Sequence, residues 1–320
     1  MNVLITSASR KVSLVKSFMT ALAAEGGGKV IAADASPLAA ALYFADEHHL
    51  VPKSQEPGFV DTMIALCRSL SVGLLIPTRD EELPVYAQHK EAFAEIGVMI
   101  MASSPEAIRL CQDKRAFLEF CRDRGFAVPK TYADPDSLTD SDFPVFVKPR
   151  TGKGSRQTER VGSKQELAIV LRGMGDAIIQ EYIDLPEFTI DLFADFNGVV
   201  ISAVPRERIY TFGGESFITR TVNDSRLIQE AERLATELRL IGHNTIQCFY
   251  DGERVRFIEV NPRFGGAAHL GFAAGADTPR FLIKLLTNQP VEPQLGRFKD
   301  DYYMLRFTED IFMPAESLDS

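Results

Sequence analysis

Covalent and metal scaffolding is the first thing this chain lacks. Its four cysteines (Cys67, Cys111, Cys121, Cys248) stand far apart, with no C-x-x-C pair and no histidine at metal spacing. That excludes a disulfide framework and a structural zinc site and points to a reducing cytoplasm. No apolar run approaches the roughly 18–20 residues of a membrane span, and the opening Met1-Asn2-Val3-Leu4-Ile5-Thr6 reads as a strand, not a signal peptide. Positive charge is scarce: 35 Lys and Arg against 44 Asp and Glu leave a net −9, which argues against nucleic-acid and membrane partners. The five histidines (His48, His49, His89, His243, His269) form no ligand set and read as packing; His269, after a glycine pair, is the one to suspect of touching substrate. What is present, 320 residues with 45% apolar and 25% charged, suffices for two or three packed subdomains of an acidic α/β protein.

The first hundred residues alternate strand and helix signals. Apolar or β-branched runs at 3–6, 30–33, 49–51, 74–77 and 98–101 alternate with helical patterns over 12–24, where Val12, Val15, Met19 and Leu22 share a face, and over 59–70. Parallel strands covered by helices, a Rossmann-like layer, follow from that order. Glycine is missing where a dinucleotide fold needs it: G-x-G-x-x-G should follow the first strand, and the chain has Thr6-Ser7-Ala8-Ser9-Arg10-Lys11. Gly26-Gly27-Gly28 follows a helix and precedes a strand, a stop and turn rather than a phosphate loop. Without the fingerprint, Asp34 reads as a cap or turn acid and not as a ribose ligand. The hydroxyls and basic pair of 6–11 either hold an anionic group at a helix N-terminus or supply Ser9 as an ordinary N-cap. Residues 77–82 either sit at the ligand-binding carboxyl edge of the sheet or form a solvated loop.

Beyond residue 105 the charge becomes uneven. Helical segments over 105–111 and 113–124 end at Gly125, and a strand over 143–149 carries Lys148 into Arg150-Thr151-Gly152-Lys153-Gly154-Ser155-Arg156. Residues 148–160 hold five basic groups and one acid. A basic loop whose glycines let the backbone approach a ligand suits a polyphosphate, although the G-x4-G-K spacing of a P-loop is absent. The strand over 178–183 that follows lies in an acidic stretch, with six acids and no base over 176–195. Its free backbone edge suits the Watson–Crick edge of adenine, and Glu187 suits ribose hydroxyls.

The strongest local signal is Glu259-Val260-Asn261-Pro262-Arg263-Phe264-Gly265-Gly266. On a strand Glu259 and Asn261 share a face, and two oxygen donors at that spacing suit Mg²⁺ beside phosphate. If Asp251-Gly252-Glu253 is the loop of a hairpin, Tyr250 faces Arg254, Gln247 faces Phe257, and Gln247 becomes a diagonal neighbour of Glu259. Arg263 can bridge phosphate oxygens. Phe212-Gly213-Gly214-Glu215 reads as a loop over the site or as a plain hairpin.

Taken in order, Asp113-Lys114, Val147-Lys148-Pro149 with its Gly/Ser loop, Gln180-Glu181-Tyr182-Ile183 with Glu187, and Glu259-Val260-Asn261-Pro262-Arg263 resemble the ATP-grasp superfamily, in the branch similar to the carbamoyl phosphate synthetase large chain. The resemblance implies an α/β fold, α+β in its later lobes: a Rossmann-like N-terminal domain over 1–104, then a two-lobed ATP-grasp unit over 105–183 and 184–320. It implies that Lys114 and Lys148 contact ATP phosphates under a loop including Gly152, Gly154 and Ser155. Glu181, Tyr182 and Ile183 would hold adenine, and Glu187 ribose. Gln247, Glu259 and Asn261 would coordinate Mg²⁺, with Mn²⁺ as the alternative ion. Arg263, Lys148 and Arg206 would be catalytic, and Arg208 would lie near substrate. One grasp unit fits in 320 residues, so the expected activity is a carboxylate–amine ligase of amino-acid or peptide type rather than carbamoyl phosphate production. Its partners would be a small carboxylate and an amine, with a homodimer compatible. A small-molecule kinase and a non-catalytic ATP-binding module remain the alternatives.

Overall fold

The computed structural model describes residues 1–152 and 157–318. Strands β1 (Asn2–Thr6), β2 (Val30–Asp34), β3 (Glu47–Leu50), β4 (Val72–Pro77) and β5 (Met99–Ile100) form one parallel sheet in the order β3-β2-β1-β4-β5. Parallel neighbours need crossovers, and helices α1 (Val12–Ala24) and α2 (Phe59–Ser69), then α3 (Leu83–Gln88) and α4 (Lys90–Ala94), cover the sheet. The α1 stripe is turned slightly from the expected one: Leu14, Val15, Phe18, Ala21 and Leu22 are buried, while Val12 and Met19 lie at its margin. The strand order reverses beside β1, so the loops leaving β1 and β4 lie side by side, joined by the Thr78 hydroxyl donating to the Thr6 and Ser7 carbonyls (2.8 Å each).

Those loops differ from the sequence reading. Ser9 is not an N-cap: Lys11 holds that position with no side-chain cap, and Ser7 and Ser9 are left-handed, with φ of 49° and 50°. Asp34 is a turn acid, accepting from the N–H of Ser9 (2.9 Å) and of Ser36 (3.1 Å). Residues 77–82 are not a solvated loop, because Glu82 is buried and accepts from the N–H groups of Thr78 (2.6 Å) and Arg79 (3.0 Å) and from the Ser7 hydroxyl (2.9 Å).

Helices α5 (Pro105–Gln112) and α6 (Lys114–Asp123) begin at side-chain caps, Ser104 and Asp113. They lead to a small antiparallel sheet of β6 (Thr131–Tyr132), β7 (Val145–Pro149), β8 (Glu159–Val161) and β9 (Ala177–Glu181), in the order β6-β9-β7-β8. Helix α7 (Lys164–Met174) closes its core with Leu167 against Val145, Val147, Val161 and Ile179.

A six-stranded antiparallel sheet follows: β10 (Glu187–Ala194), β11 (Val200–Phe212), β12 (Glu215–Thr221), β13 (Gly242–Tyr250), β14 (Val255–Asn261) and β15 (Tyr303–Leu305), ordered β14-β13-β10-β11-β12-β15. The α6 helix and α8 (Ser225–Glu237) contribute to a core with residues of β10, β13 and β14. Helices α9 (His269–Ala274) and α10 (Thr278–Leu286) lie beside the N-terminal sheet, where Phe264, Phe281 and Leu282 join Val15 and Phe18 in one core. Phe18 meets Phe264 edge to face at 5.9 Å. Of the two readings of 212–215 the hairpin is realised: Gly213 and Gly214 form a two-residue turn with φ of 57° and 77°, values that favour glycine. Among the described residues no helix is long and apolar enough to cross a membrane.

Candidate active site

Between the small sheet and the six-stranded sheet lies a cavity of about 270 Å³. Its lining combines apolar Pro129, Phe146, Tyr182, Ile183, Phe249 and Ile258 with charged Lys114, Lys148, Glu187 and Glu259 and the amide of Gln247. Apolar walls with two lysines and two carboxylates among them have the mixed chemistry of a small-ligand site and suit a nucleotide. Gly152 also lines it, whereas Gly154 and Ser155 lie outside the described residues.

The metal-ligand set depends on the β13–β14 hairpin. Its loop has four residues rather than three: Tyr250 pairs with Val255 and Cys248 with Phe257. The Asp251 side chain organises that loop by accepting from the N–H groups of Glu253 (3.0 Å) and Arg254 (2.7 Å). Regular pairing from this turn would put Ile258 opposite Gln247. A bulge between Gln247 and Cys248 corrects the register, so Gln247 directly faces Glu259 and Thr245 faces Asn261. The expected diagonal relation is therefore replaced by a direct one, and Ile258 and Glu259 both reach the cavity.

A chain of polar contacts runs from the charged lining towards the N-terminal sheet. Lys114 Nζ donates to the Gly152 carbonyl (2.6 Å) and lies 3.9 Å from Glu259 Oε2. Asn261 Nδ2 donates to Glu259 Oε1 (3.1 Å), and Arg263 donates to Asn261 Oδ1 (3.2 Å). Arg263 also grips Asp80 of the N-terminal sheet's loop through two bonds of 2.7 and 2.8 Å. Lys148 is only 3% exposed, and its ammonium has no hydrogen bond or ion pair with any described residue. Burial, with Lys114 nearby, lowers its pKa to about 8 against the opposing pull of Glu259 and Glu187. One carboxylate and two amides are the kind of oxygen donors a hard cation takes beside phosphate; Gln247 and Glu259 line this cavity, while Asn261, its Oδ1 turned to Arg263, lines the adjoining one with Glu259.

Other expected residues stand differently. Arg206 is not brought to the cavity wall. It is 2% exposed, with its Nε on Asp191 (2.7 Å) and its Nη1 on the Ser216 hydroxyl (3.0 Å), and a guanidinium so engaged is not available to a phosphoryl group. Although burial pushes Asp191 up, Arg206 and His243 hold its pKa at about 2. Arg208 lies 3.1 Å from Glu187 and donates to the Gly214 carbonyl (3.0 Å). Its Nε is not aimed at the carboxylate, so the first contact is one of charges rather than a formed hydrogen bond. Burial raises the pKa of Glu187 against the pull of Arg208. The Glu181 N–H is taken by the Lys130 carbonyl (2.9 Å), leaving the Glu181 carbonyl and the Ile183 N–H as the pair for a base. Arg150 ties Asp113 to Asp176 and acts as a strut at the foot of the glycine loop. His269 is held at about 4 by burial and by Arg306 and Arg206.

Several lining residues were not singled out from sequence: Phe146, Phe249, Ile258, Thr151 and Asp80. The period of two could have found Phe146 beside Lys148 and Phe249 beside Gln247. Nothing local announces Asp80, which meets Arg263 across 183 residues.

Known proteins resemble the chain in two sequence segments and in fold. Residues 3–101 match the family described as PylC-like, N-terminal domain, and residues 174–309 match ATP-grasp in the biosynthetic pathway with Ter operon. The carbamoyl phosphate synthase large chain of Clostridium acetobutylicum is 28% identical over 62% of this chain and 21% of its own length; that of Rubrobacter xylanophilus is 25% identical over 60% and 20%. The chain thus spans about a fifth of the length of these curated relatives. Among solved structures, the biotin carboxylase–βγ-ATP complex from Campylobacter jejuni superposes with a TM-score of 0.73 at 18% identity, covering 94% of this chain and 74% of that one. The ADP complex of N5-carboxyaminoimidazole synthetase from Staphylococcus aureus gives 0.70 at 18%, covering 92% and 79%. L-amino acid ligase from Bacillus licheniformis gives 0.69 at 17%, covering 93% and 77%. In its fold and its matched segments the chain resembles ATP-grasp proteins, and in sequence it resembles the carbamoyl phosphate synthase large chain.

Proposed function

We propose that the protein is an ATP- and Mg²⁺-dependent ligase that activates a small carboxylate as an acylphosphate and couples it to an amine. The observation that carries this reading is Lys148, a buried ammonium with no described partner, in one cavity with Lys114 and the Gln247–Glu259 pair. The names of the relatives, a carbamoyl phosphate synthase, a carboxyaminoimidazole synthetase and an amino acid ligase, support the same class. In this reading the division into 1–104, 105–183 and 184–320, a cytoplasmic setting and a homodimer go together; one solved relative is described as a domain dimer.

A carboxylate does not exchange oxide for an amine unaided. Its oxygen attacks the γ-phosphorus, the bond to the β–γ bridging oxygen breaks, and ADP and an acylphosphate result. The amine then adds to the acyl carbon, phosphate departs, and the amine's proton passes to phosphate or solvent. Lys114 and Lys148 offer positive charge where charge moves during transfer, and Arg263, held by Asp80, acts on the site through Asn261. Gln247, Glu259 and Asn261 would hold Mg²⁺, which supplies Lewis-acid neutralisation of the phosphates, with Mn²⁺ as the alternative. The apolar lining receives adenine, Glu187 the ribose, and the Gly152 segment keeps water from the acylphosphate.

The test is ADP release across a panel of acid–amine pairs, with mass analysis of products. Wild type is expected to give ADP, free phosphate and a conjugate with one pair, and Glu259→Ala to abolish all three. Undiminished turnover in that variant would sink the assignment, and a stable phosphate ester without free phosphate would make the protein a kinase.

A further inference from the structure

The last strand of the six-stranded sheet carries an apolar surface that no described segment covers. β15 pairs with β12 on one side, and its other side is the edge of the sheet. Its side chains alternate. Met304 turns inward to Ala267 and Leu270, and Arg306 turns inward to Glu215 and the Gly266 carbonyl, while Tyr303, Leu305 and Phe307 are exposed. The backbone alternates too. The Tyr302 carbonyl accepts from the Thr221 N–H (3.0 Å), and the Arg306 N–H donates to the Phe217 carbonyl (2.8 Å). The same ladder directs the N–H and C=O groups of Tyr303 and Leu305 away from the sheet.

A solvent-facing edge strand is expected to be polar on its outer face and blunted by lysine or proline. Residues 303–307 contain neither, and are apolar outward. The outward row continues across the sheet, for Leu305 stands opposite Ile218 and Ile218 opposite Tyr210. The β11–β12 hairpin adds Ile209 and Phe212 near its tip. Tyr210, Phe212, Tyr303, Leu305 and Phe307 are 51–79% exposed. At ~200 Å² for an aromatic side chain, the four rings alone leave about 500 Å² in water. The largest apolar patch of an ordinary monomer is about 300–600 Å². With Leu305, Ile209 and the strand edge added, the surface approaches the roughly 800 Å² that each partner of a stable complex buries.

We infer that this edge is a contact between two copies of the chain, their β15 strands pairing antiparallel across a two-fold axis. A two-fold interface sets one patch against itself, and an antiparallel edge meets that condition without any second surface. With the axis at Leu305, that residue meets its mate and Tyr303 meets Phe307 of the second copy. Apolar side chains then lie against apolar ones, and the outward backbone groups are satisfied. Glu309, Asp310 and Glu316, with no base after Arg306, turn the patch away from an anionic membrane. The contact also reaches the site. Arg306 donates to the carbonyl of Gly266, three residues beyond Arg263, so a paired β15 steadies the turn that follows the arginine. The inference rests on the sheet edge and not on the ligase reading.

The oligomeric state of the full-length protein tests it. Sedimentation velocity is expected to show a wild-type dimer at micromolar concentration. Leu305→Lys with Phe307→Lys should raise the dimer dissociation constant about a hundredfold or more and leave MgADP affinity unchanged. Leu305→Cys gives a second reading that leaves the edge apolar. The native cysteines are buried, so diamide should convert this variant, and not wild type, into covalent dimers; the facing Cα atoms would be about 5.5 Å apart, within disulfide reach. Leu38→Cys, at an exposed position after β2, should stay uncross-linked. A wild type that is monomeric throughout the micromolar range overturns the inference and gives the patch to a different chain. A dimer that survives the two lysines, or Leu305→Cys that does not cross-link, overturns it as well. Absence of ADP release from wild type with every acid–amine pair defeats the ligase reading, and the sedimentation result still decides the edge.

Discussion

Lys148 on β7 and Arg206 on β11 are almost equally buried, at 3% and 2% exposure, yet they stand in opposite electrostatic situations. Arg206 meets Asp191 at 2.7 Å and Ser216 at 3.0 Å, and its charge is balanced within the protein. Lys148 faces a cavity, and its nearest acids bear on it only at a distance. A buried cation is tolerated when it is paired, or when a ligand completes it. The difference therefore separates architecture from binding capacity, which burial and residue type alone do not.

The largest expected effect breaks the paired side. Arg206→Met leaves Asp191 charged and buried, beside His243 whose own pKa burial lowers. Removing one partner of such a pair costs about 3–5 kcal/mol. Denaturant unfolding should register this loss, and adding Asp191→Leu should recover much of it because no orphan charge remains. ADP release per folded molecule should change little. A large fall in turnover at unchanged stability would return Arg206 to the chemistry.

The next effect tests the unpaired side. Lys148→Met should reduce ADP release on the order of 10²–10³-fold, the scale for losing one preorganised charge stabiliser, while the ligand-free protein keeps or gains stability. The sign follows from the pKa. Lys148 titrates near 8 when folded and near 10.5 when unfolded. Between those values the unfolded chain binds more protons, so stability rises with pH across the window, by up to about 3 kcal/mol. Lys11 shifts the same way, so the difference between wild type and Lys148→Met isolates one residue. Parallel stability curves above pH 8 would show that Lys148 is already charge-paired.

Much of this contrast could not be read along the chain. The spacing of Glu259 and Asn261 placed both on one strand face, and the alternation of apolar runs gave the parallel sheet, because both signals are local and periodic. Register is not local. The bulge that sets Gln247 against Glu259 and the four-residue Asp251 turn depend on how two strands settle together. Arg206 faces Thr189 across β10–β11, which brings Asp191, two residues on, within reach. In sequence that arginine looked like a substrate contact because its counterion is decided by strand pairing. The basic surplus of 148–160 misled in part for the same reason: Arg150 is tied to Asp113 and Asp176, and Arg160 lies over the Tyr182 ring at 5.0 Å.

The smallest effect concerns the residue where the two situations meet. Glu187 lines the cavity and also lies 3.1 Å from Arg208, so it is both a ribose candidate and a counterion. Glu187→Gln keeps the size and the hydrogen-bonding capacity but removes the charge. If the carboxylate accepts ribose hydroxyls, MgADP binding should weaken by about 1–2 kcal/mol, the margin of a charged over a neutral acceptor, or roughly tenfold in Kd. The preference of wild type for ADP over 2′-deoxy-ADP should shrink along with it. If Glu187 serves only Arg208, the melting temperature should fall while both nucleotides bind as before, and the ratio of their dissociation constants should stay fixed. Calorimetric titration of the two nucleotides, set beside a melting curve, therefore assigns the carboxylate to one side of the comparison.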